Sequence, residues 1–425
     1  MTELSLMEGF SIPERAQWLA LVEKALKGAD FERRLVARTA DGLRIAPVYG
    51  RADAPQGLSG QQPGAAPYLR GASAATITPP WDIRQIYAET DAAKSNAAIL
   101  EDLEGSTTSL KLQIAGPGRC GLAPDAGSLG TALKGVMLDV CPIALDAGEA
   151  TAKAAASLAE LWRAANISDK TRLGALNADP LGTLARSGSL GQPLDAALAE
   201  AAALTKGALS APHLTALVAD GHPYHAAGAS EAQELAIVLA TLTAYLRALD
   251  AAGIAPEQAL PKIAINLAID ADQIMGLAKL RAVRRLVWQV AEACGAGGAV
   301  AQMTFGAETS LRMMAKHDPW VNMLRTTIAC ATAAMGGAQS IAVLPFTWAL
   351  GQPDGFARRM ARNTHLVLQE ESGLGRVLDP AGGSFAIESL TADLAATAWK
   401  LFQEIEAAGG MAAALSSGRI QDDIA

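Results

Sequence analysis

Short apolar runs alternating with long alanine- and leucine-rich stretches organise most of this chain. From about residue 108, eight β-like runs end in polar or glycine-rich residues: LKLQI (110–114), GVMLDV (135–140), RLGALNAD (172–179), LTALVADG (214–221), KIAINLAI (262–269), AVAQMTFG (299–306), SIAVLPF (340–346) and GRVLDP (375–380). Helical stretches separate them. Ser230 and Gln233 have the spacing of a capping box, after which Leu235, Val238, Leu239, Leu242, Leu246 and Leu249 form one apolar stripe. Ile274, Leu277, Leu280, Val283, Val287 and Val290 form another, with Arg281, Arg284 and Arg285 expected to reach solvent. Strands alternating with helices in this number predict an α/β fold, a (β/α)8 TIM barrel, with any chemistry at the C-terminal strand ends. No internal repeat points to a solenoid.

The N-terminal region has a different pattern. SIPERAQWLALVEKALKGADFERRL reads as a helix starting after Ser11 with Pro13 in its first turn. LRIAPVYG and then RADAPQGLSGQQPGAAP follow, the latter a linker or an arm lying on another surface. Residues 1–65 are therefore expected to be an extended and helical arm with its linker, and residues 66–425 the barrel. The uncharged run from Thr326 to Pro353 is long enough for a membrane span, but GGAQS and Pro345 within it fit helix, loop and buried strand better. No membrane partner is expected.

Composition narrows the function classes. Half of the 425 residues are hydrophobic, enough for a substantial core, and aromatics at 4% favour helices packed closely on a sheet. A net charge of -8 and a pI near 5.3 argue against nucleic acid as the main partner, since phosphate binding needs a positive field, although localised Arg and Lys could still meet a small anion. Cys120, Cys141, Cys294 and Cys330 never form a CxxC pair, which argues against a zinc or iron–sulfur site and for reduced thiols in a cytoplasm. The N-terminal MTELSLMEGF carries acids where a targeting peptide needs basic residues. A cytoplasmic location is expected.

The candidate chemistry begins with Asp220–Gly228, DGHPYHAAG, placed after the fourth predicted strand. Two histidines three apart lack a third ligand, so no metal site is expected. The corrinoid-ligating pattern DxHxxG matches at Asp220 and His222, but His225 replaces the glycine, and that pattern belongs to a flavodoxin-like domain rather than a barrel repeat. Other strand ends offer Asn177, Asp179, Asn266, Asp270, Glu308, Gln339 and Asp379. Glu370 and Glu371 are a pair for acid–base work or, more commonly, a solvated face. Gly382-Gly383-Ser384 suits a phosphate or a tight turn. No Ser/His/Asp set or P-loop is apparent.

RTTIACATAAMGGAQSIAVLPFTWALGQP and ARRMARNTHLVLQEESGLGRVLDPAGGSFAIESLTADL resemble the barrel of methylmalonyl-CoA mutases, as do PWDIRQIYAETDAAKSNAAI, AKLRAVRRL and DPWVNMLRTT. The resemblance extends over nearly the whole chain from about residue 13. It implies a coenzyme A-threaded barrel working with a separate cobalamin-binding domain, where adenosylcobalamin supplies a radical that moves a thioester carbonyl to the neighbouring carbon. The chain ends at Ala425, and no cobalamin domain is expected within it.

The departures from the family pattern decide the expected role. The family's tyrosine after IRQ is Ile86 here, with Tyr87 one place late; its arginine before PW is Pro79; its YxTMY stretch is Ala72 to Thr76. GGTQSLH has become Gly336 to Ala342, keeping Gln339 without the histidine, and LRTHxQTSG has become MTFGAETS. The family's substrate histidine is best matched by His225. These losses remove several groups of the kind that contribute on the order of 10²–10³ each in rate.

The chain is thus expected to resemble the small, non-catalytic subunit of a heterodimeric mutase, whose large subunit holds adenosylcobalamin. No cofactor ligand is assigned to this chain. His225 and Gln339 are its catalytic relics, and Tyr87, Tyr224, Gln339 and Glu370 are candidates for a substrate pocket. Two other readings remain open: a catalytic barrel borrowing a cobalamin domain from another chain, and a stand-alone acyl-CoA-binding barrel.

Overall fold

The computed structural model describes residues 14–55 and 61–425. Eight parallel strands close into a barrel: β1 Asp82–Tyr87, β2 Ser109–Gln113, β3 Ile143–Asp146, β4 Gly174–Ala178, β5 Leu214–Asp220, β6 Ile263–Ile269, β7 Phe305–Thr309 and β8 Ser340–Ala342. Each strand pairs with its neighbour in sequence, and β8 closes on β1 by pairing Ser340 with Asp82, Ile341 with Ile83 and Ala342 with Arg84. Alternation along each strand divides inside from outside. Ile83, Leu110 and Leu112 are buried in the hydrophobic core, whereas Arg84 and Lys111 line the bore.

Two predicted strands are corrected. GVMLDV (135–140) forms turns, because Gly135 adopts a left-handed φ of 81° and the apolar side chains of Met137 and Val140 face solvent; the third strand starts at Ile143. GRVLDP (375–380) is likewise a turn region, with left-handed backbone at Gly375 and Asp379. The two strands left out are β3, IALD, just beyond the misplaced run, and β1, DIRQIY, whose inward Asp82 and Arg84 disguise it as polar. AVAQMTFG begins as a short 3-10 helix, and β7 starts only at Phe305. With β1 counted, DGHPYHAAG follows the fifth strand rather than the fourth.

The outer layer is thickest around the helices Glu231–Ala251, Gln273–Ala293 and Phe385–Ala407, the last packing against both others. Ser230 accepts from Gln233 N and Gln233 returns the bond to Ser230 N, so the expected capping box forms. Glu231–Ala251 is long and apolar enough to cross a membrane, but 72% of its apolar window is buried within the fold. The packing also corrects the exposure expected of two arginines. Arg281 and Arg284 are buried, and Arg285 alone of the three is exposed. Arg281 pairs with Asp379 and, at 2.7 Å, with Glu388 of helix Phe385–Ala407. Arg284 donates to the carbonyls of Leu280 and Gly336 at 2.9 and 2.7 Å. A buried charge must find such partners, and here the GGAQ turn and the DPAGGS turn supply them.

In the N-terminal region, helix Arg15–Leu26 buries no side chain completely, and Ala37–Arg38 pairs with Arg44–Ile45 as a short antiparallel ladder. The expected helix start after Ser11, with Pro13, lies outside the described residues, as do residues 56–60 of the glycine-rich stretch. Asp41 reaches over to accept from Ser230 Oγ and, at 3.2 Å, from Ala232 N at the start of helix Glu231–Ala251. Ser389 Oγ donates to Asp53 O at 2.6 Å. These contacts seat the arm on the side of the barrel covered by helix Phe385–Ala407.

Candidate functional site: the charged bore

In a TIM barrel the inward side chains near the C-terminal strand ends form the active site. Here they form a network of opposite charges. Lys111 of β2 donates to Glu308 of β7 at 2.7 Å, although β1 and β8 stand between those strands, so the pair crosses the bore. Lys111 also lies 4.0 Å from Asp146 at the end of β3, which is paired with Arg119. Arg186, on helix Pro180–Ser187, donates to Asp220 at 2.7 Å and stands 3.6 Å from Asp146 and 3.9 Å from Asp179. His222 Nδ1 approaches Asp220 Oδ1 at 2.6 Å, with Asn266 Nδ2 3.3 Å away. A cavity of about 290 Å³ runs through the bore, lined by Asp82, Arg84, Lys111, Asp146, Asp220 and Glu308 among others.

The electrostatics hold these groups charged. Burial works against ionisation of Asp146, but Lys111, Arg119 and Arg186 outweigh it and keep its pKa below the usual carboxylate value. Asp220 is lowered further by His222 and Arg186 in the same way. Burial would deprotonate Lys111, but Glu308 and Asp146 raise its pKa. His222 follows the same logic, raised by Asp220 and Glu308 against burial. Asp179 is the exception: burial dominates and pushes its pKa up to about 7. Apart from Asp179, the bore therefore holds charge that is mutually neutralised. The two buried cysteines add no nucleophile, since burial pushes the Cys141 thiol up to about 12 and raises Cys330 as well.

None of the residues singled out as catalytic relics or pocket candidates lines this cavity. Tyr87 is on the outer face of β1 and donates to Asp102 at 3.1 Å under the helices, because a shift of one position on a strand moves a side chain to the other face. His225 is buried, with Nδ1 3.2 Å from Glu234 and Nε2 2.8 Å from Ser310. Glu234 in turn accepts from Lys279 at 2.8 Å and from Ala268 N at 3.0 Å, so His225 belongs to a polar cluster beneath the rim. Tyr224 is buried beside it. Gln339 lies before β8, at the N-terminal end of the barrel, where its Oε1 accepts from Phe305 N at 2.7 Å and ties β7 to β8. Glu370 is exposed on a π-turn, the solvated alternative weighed for it. Among the described residues no cluster of His, Cys, Asp or Glu suits a metal ion.

The groups that do meet in the bore carried a signal in the sequence. Lys111, Asp146, Asp220 and Glu308 each interrupt an apolar strand at an inward position. Glu308 and Asn266 stood out as strand-end residues; Lys111, Arg119 and Arg186 did not, since Arg119 and Arg186 come from a loop and a helix that only the fold brings inward.

A closed eight-stranded parallel barrel with a charge-lined bore is the class of protein defined by this geometry. Residues 38–425 match the methylmalonyl-CoA mutase family, and the chain belongs to it. It is 48% identical to the methylmalonyl-CoA mutase small subunit of Streptomyces virginiae, over 99% of this chain and 68% of that protein. It is 40% identical to a probable small subunit of Mycobacterium tuberculosis (91% and 62%) and 36% identical to the small subunit of Propionibacterium freudenreichii subsp. shermanii (99% and 66%). The chain thus spans about two thirds of the length of these relatives.

Proposed function

We propose that this chain is the small, non-catalytic subunit of a methylmalonyl-CoA mutase, its barrel supporting a large subunit that isomerises methylmalonyl-CoA and succinyl-CoA. The observation that carries this reading is the Lys111–Glu308 pair across the bore, backed by Asp146, Arg186 and Asp220. A coenzyme A thioester threaded along the barrel axis, as in the family's catalytic chains, would have to displace buried charges already paired. Separating charges that the fold has paired in its interior is unfavourable.

Adenosylcobalamin supplies the radical when bound to the assembled enzyme. DGHPYHAAG presents no accessible ligand nitrogen: both nitrogens of His225 are engaged, and His222 bonds Asp220 through Nδ1 while its Nε2, though without a partner, is buried within the fold. We therefore assign the cofactor to the large subunit. A cytoplasmic location is part of the same proposal, supported by four cysteines that are all free.

The test is turnover of methylmalonyl-CoA in the presence of adenosylcobalamin, by the chain alone and with a large mutase subunit. No turnover alone and activity in a stable complex are expected. Turnover with only a free cobalamin-domain protein added would instead make this barrel catalytic.

A further inference from the structure

The long uncharged run that begins at Thr326 raises a question that the bore does not answer. Helix Val321–Met335 is an outer helix of the barrel, a position where one face normally meets water and carries charge. Arg325 is its one charged residue, and that guanidinium folds back on Asn322 at 2.9 Å. Asn322, Thr326, Ala329, Cys330 and Ala333 face the core. On the opposite side Val321, Leu324 and Ile328, spaced by three and four, are exposed.

The apolar surface continues beyond this helix. Trp320 stacks on Phe346 at 4.8 Å and meets Phe356 edge-on at 6.3 Å, at the start of the neighbouring helix Gly355–Leu366. Leu350, in the turn before that helix, is also exposed. Trp320 and Leu324 are 55% and 67% exposed, unusual for such large apolar groups. From their fractional exposures, Trp320, Val321, Leu324, Ile328, Leu350 and Phe356 together present on the order of 600 Å² to solvent, as much as the largest apolar patch of an ordinary monomer. That is the upper end of what a monomer tolerates, about 300–600 Å², and most of the ~800 Å² that each side of a standard interface buries.

We infer that this face, formed by helix Val321–Met335 and the start of helix Gly355–Leu366, is the surface on which the large mutase subunit docks. The inference rests on the proposed function, which supplies a permanent partner; the area supplies the site. Trp320 and Leu324 are its anchors, a large aromatic and a large aliphatic group of the kind that concentrates binding energy.

The experiment pairs this chain with a large methylmalonyl-CoA mutase subunit from the same source and reads complex formation by size-exclusion chromatography with light scattering. Leu324→Asp and Trp320→Glu are compared with Val140→Asp, an exposed apolar position before β3, away from this face. Leu324→Asp and Trp320→Glu should each weaken the complex by about 30-fold or more while Val140→Asp leaves it unchanged. Circular dichroism and thermal unfolding establish that the variants are folded, as substitutions at exposed positions should be. A complex that survives both variants overturns the inference but leaves the proposed function standing. Failure of the wild-type chain to bind any large subunit removes the proposed function itself. Should the wild-type chain alone be a dimer that Leu324→Asp dissociates, the face belongs to a second copy, and the inference is overturned.

Discussion

Lys111 Nζ and Glu308 Oε2 lie 2.7 Å apart across the interior of a barrel in which their strands are not neighbours. Both side chains are largely buried, so each depends mainly on its partner, with Asp146 at 4.0 Å from Lys111 as the next nearest opposite charge. Glu308→Ala is expected to destabilise the chain by about 3–5 kcal/mol, because it strands a buried ammonium. The double variant Lys111→Met/Glu308→Leu should recover most of that loss or exceed wild-type stability, since packed apolar groups need no desolvation. Urea unfolding at fixed pH measures both. A single variant as stable as wild type would mean that water reaches Lys111 and that the bore is open.

Asp179 gives the barrel a pH dependence of opposite sign to the ordinary carboxylate. Its folded pKa, near 7, lies above the value near 3.8 of a free aspartate. A group raised in this way stabilises fully below the unfolded pKa and loses that contribution as pH rises through the folded one. The protonated carboxyl still accepts from Gly182 N at 2.9 Å and pairs with Tyr245 OH. Asp179→Asn, permanently neutral, should therefore gain about 3–4 kcal/mol relative to wild type between pH 4 and pH 7.5. Parallel stability–pH curves for the two proteins would show that Asp179 is ionised throughout.

Asp41 is one of the residues that tie the arm to the barrel. Asp41 accepts from Ser230 Oγ and Ala232 N, adding a second cap to helix Glu231–Ala251 from 189 positions away in the chain. Asp41→Ala should cost about 1 kcal/mol, the usual value of a lost cap. Its clearest signature is faster hydrogen exchange in residues 37–45 with the barrel strands unchanged. Unchanged protection there would mean that the arm is held by its other contacts.

Much of this molecule was legible in its sequence, and the failures share a cause. The period of apolar residues located six of the eight strands and both long amphipathic helices, because burial under the helix layer imposes that period. It passed over β1 because Asp82 and Arg84 occupy its inward positions, and a bore filled by salt bridges inverts the rule that inside is apolar. GVMLDV and GRVLDP misled for the reverse reason, as apolar turns whose side chains reach solvent. Family resemblance identified the barrel correctly, but the site positions it implied do not line the bore cavity. Tyr87 shows how little is needed to displace one: a single residue of offset takes it from the bore to the far side of the strand.

The sharpest separation between a supporting barrel and a catalytic one comes from Gln339 and His225, the two residues that family resemblance marks as relics of catalysis. Gln339 is at the N-terminal end of the barrel and bonds the backbone of Phe305, while His225 bridges Glu234 and Ser310 in a buried cluster. Neither side chain lines the bore cavity. Gln339→Ala should leave kcat and KM of the assembled mutase within about twofold of wild type, since an interaction outside the substrate site contributes nothing in the transition state. His225→Ala should lower thermal stability by about 1–3 kcal/mol through the unpaired Glu234 and Ser310 it leaves behind, again without a selective loss of turnover. Steady-state turnover of the complex, with unfolding followed in parallel, distinguishes the two effects. If Gln339→Ala instead slowed turnover by about 100-fold or more at unchanged stability, a loss on the scale of a missing transition-state contact, catalysis would move into this barrel. The supporting role argued from the Lys111–Glu308 pair would then be displaced.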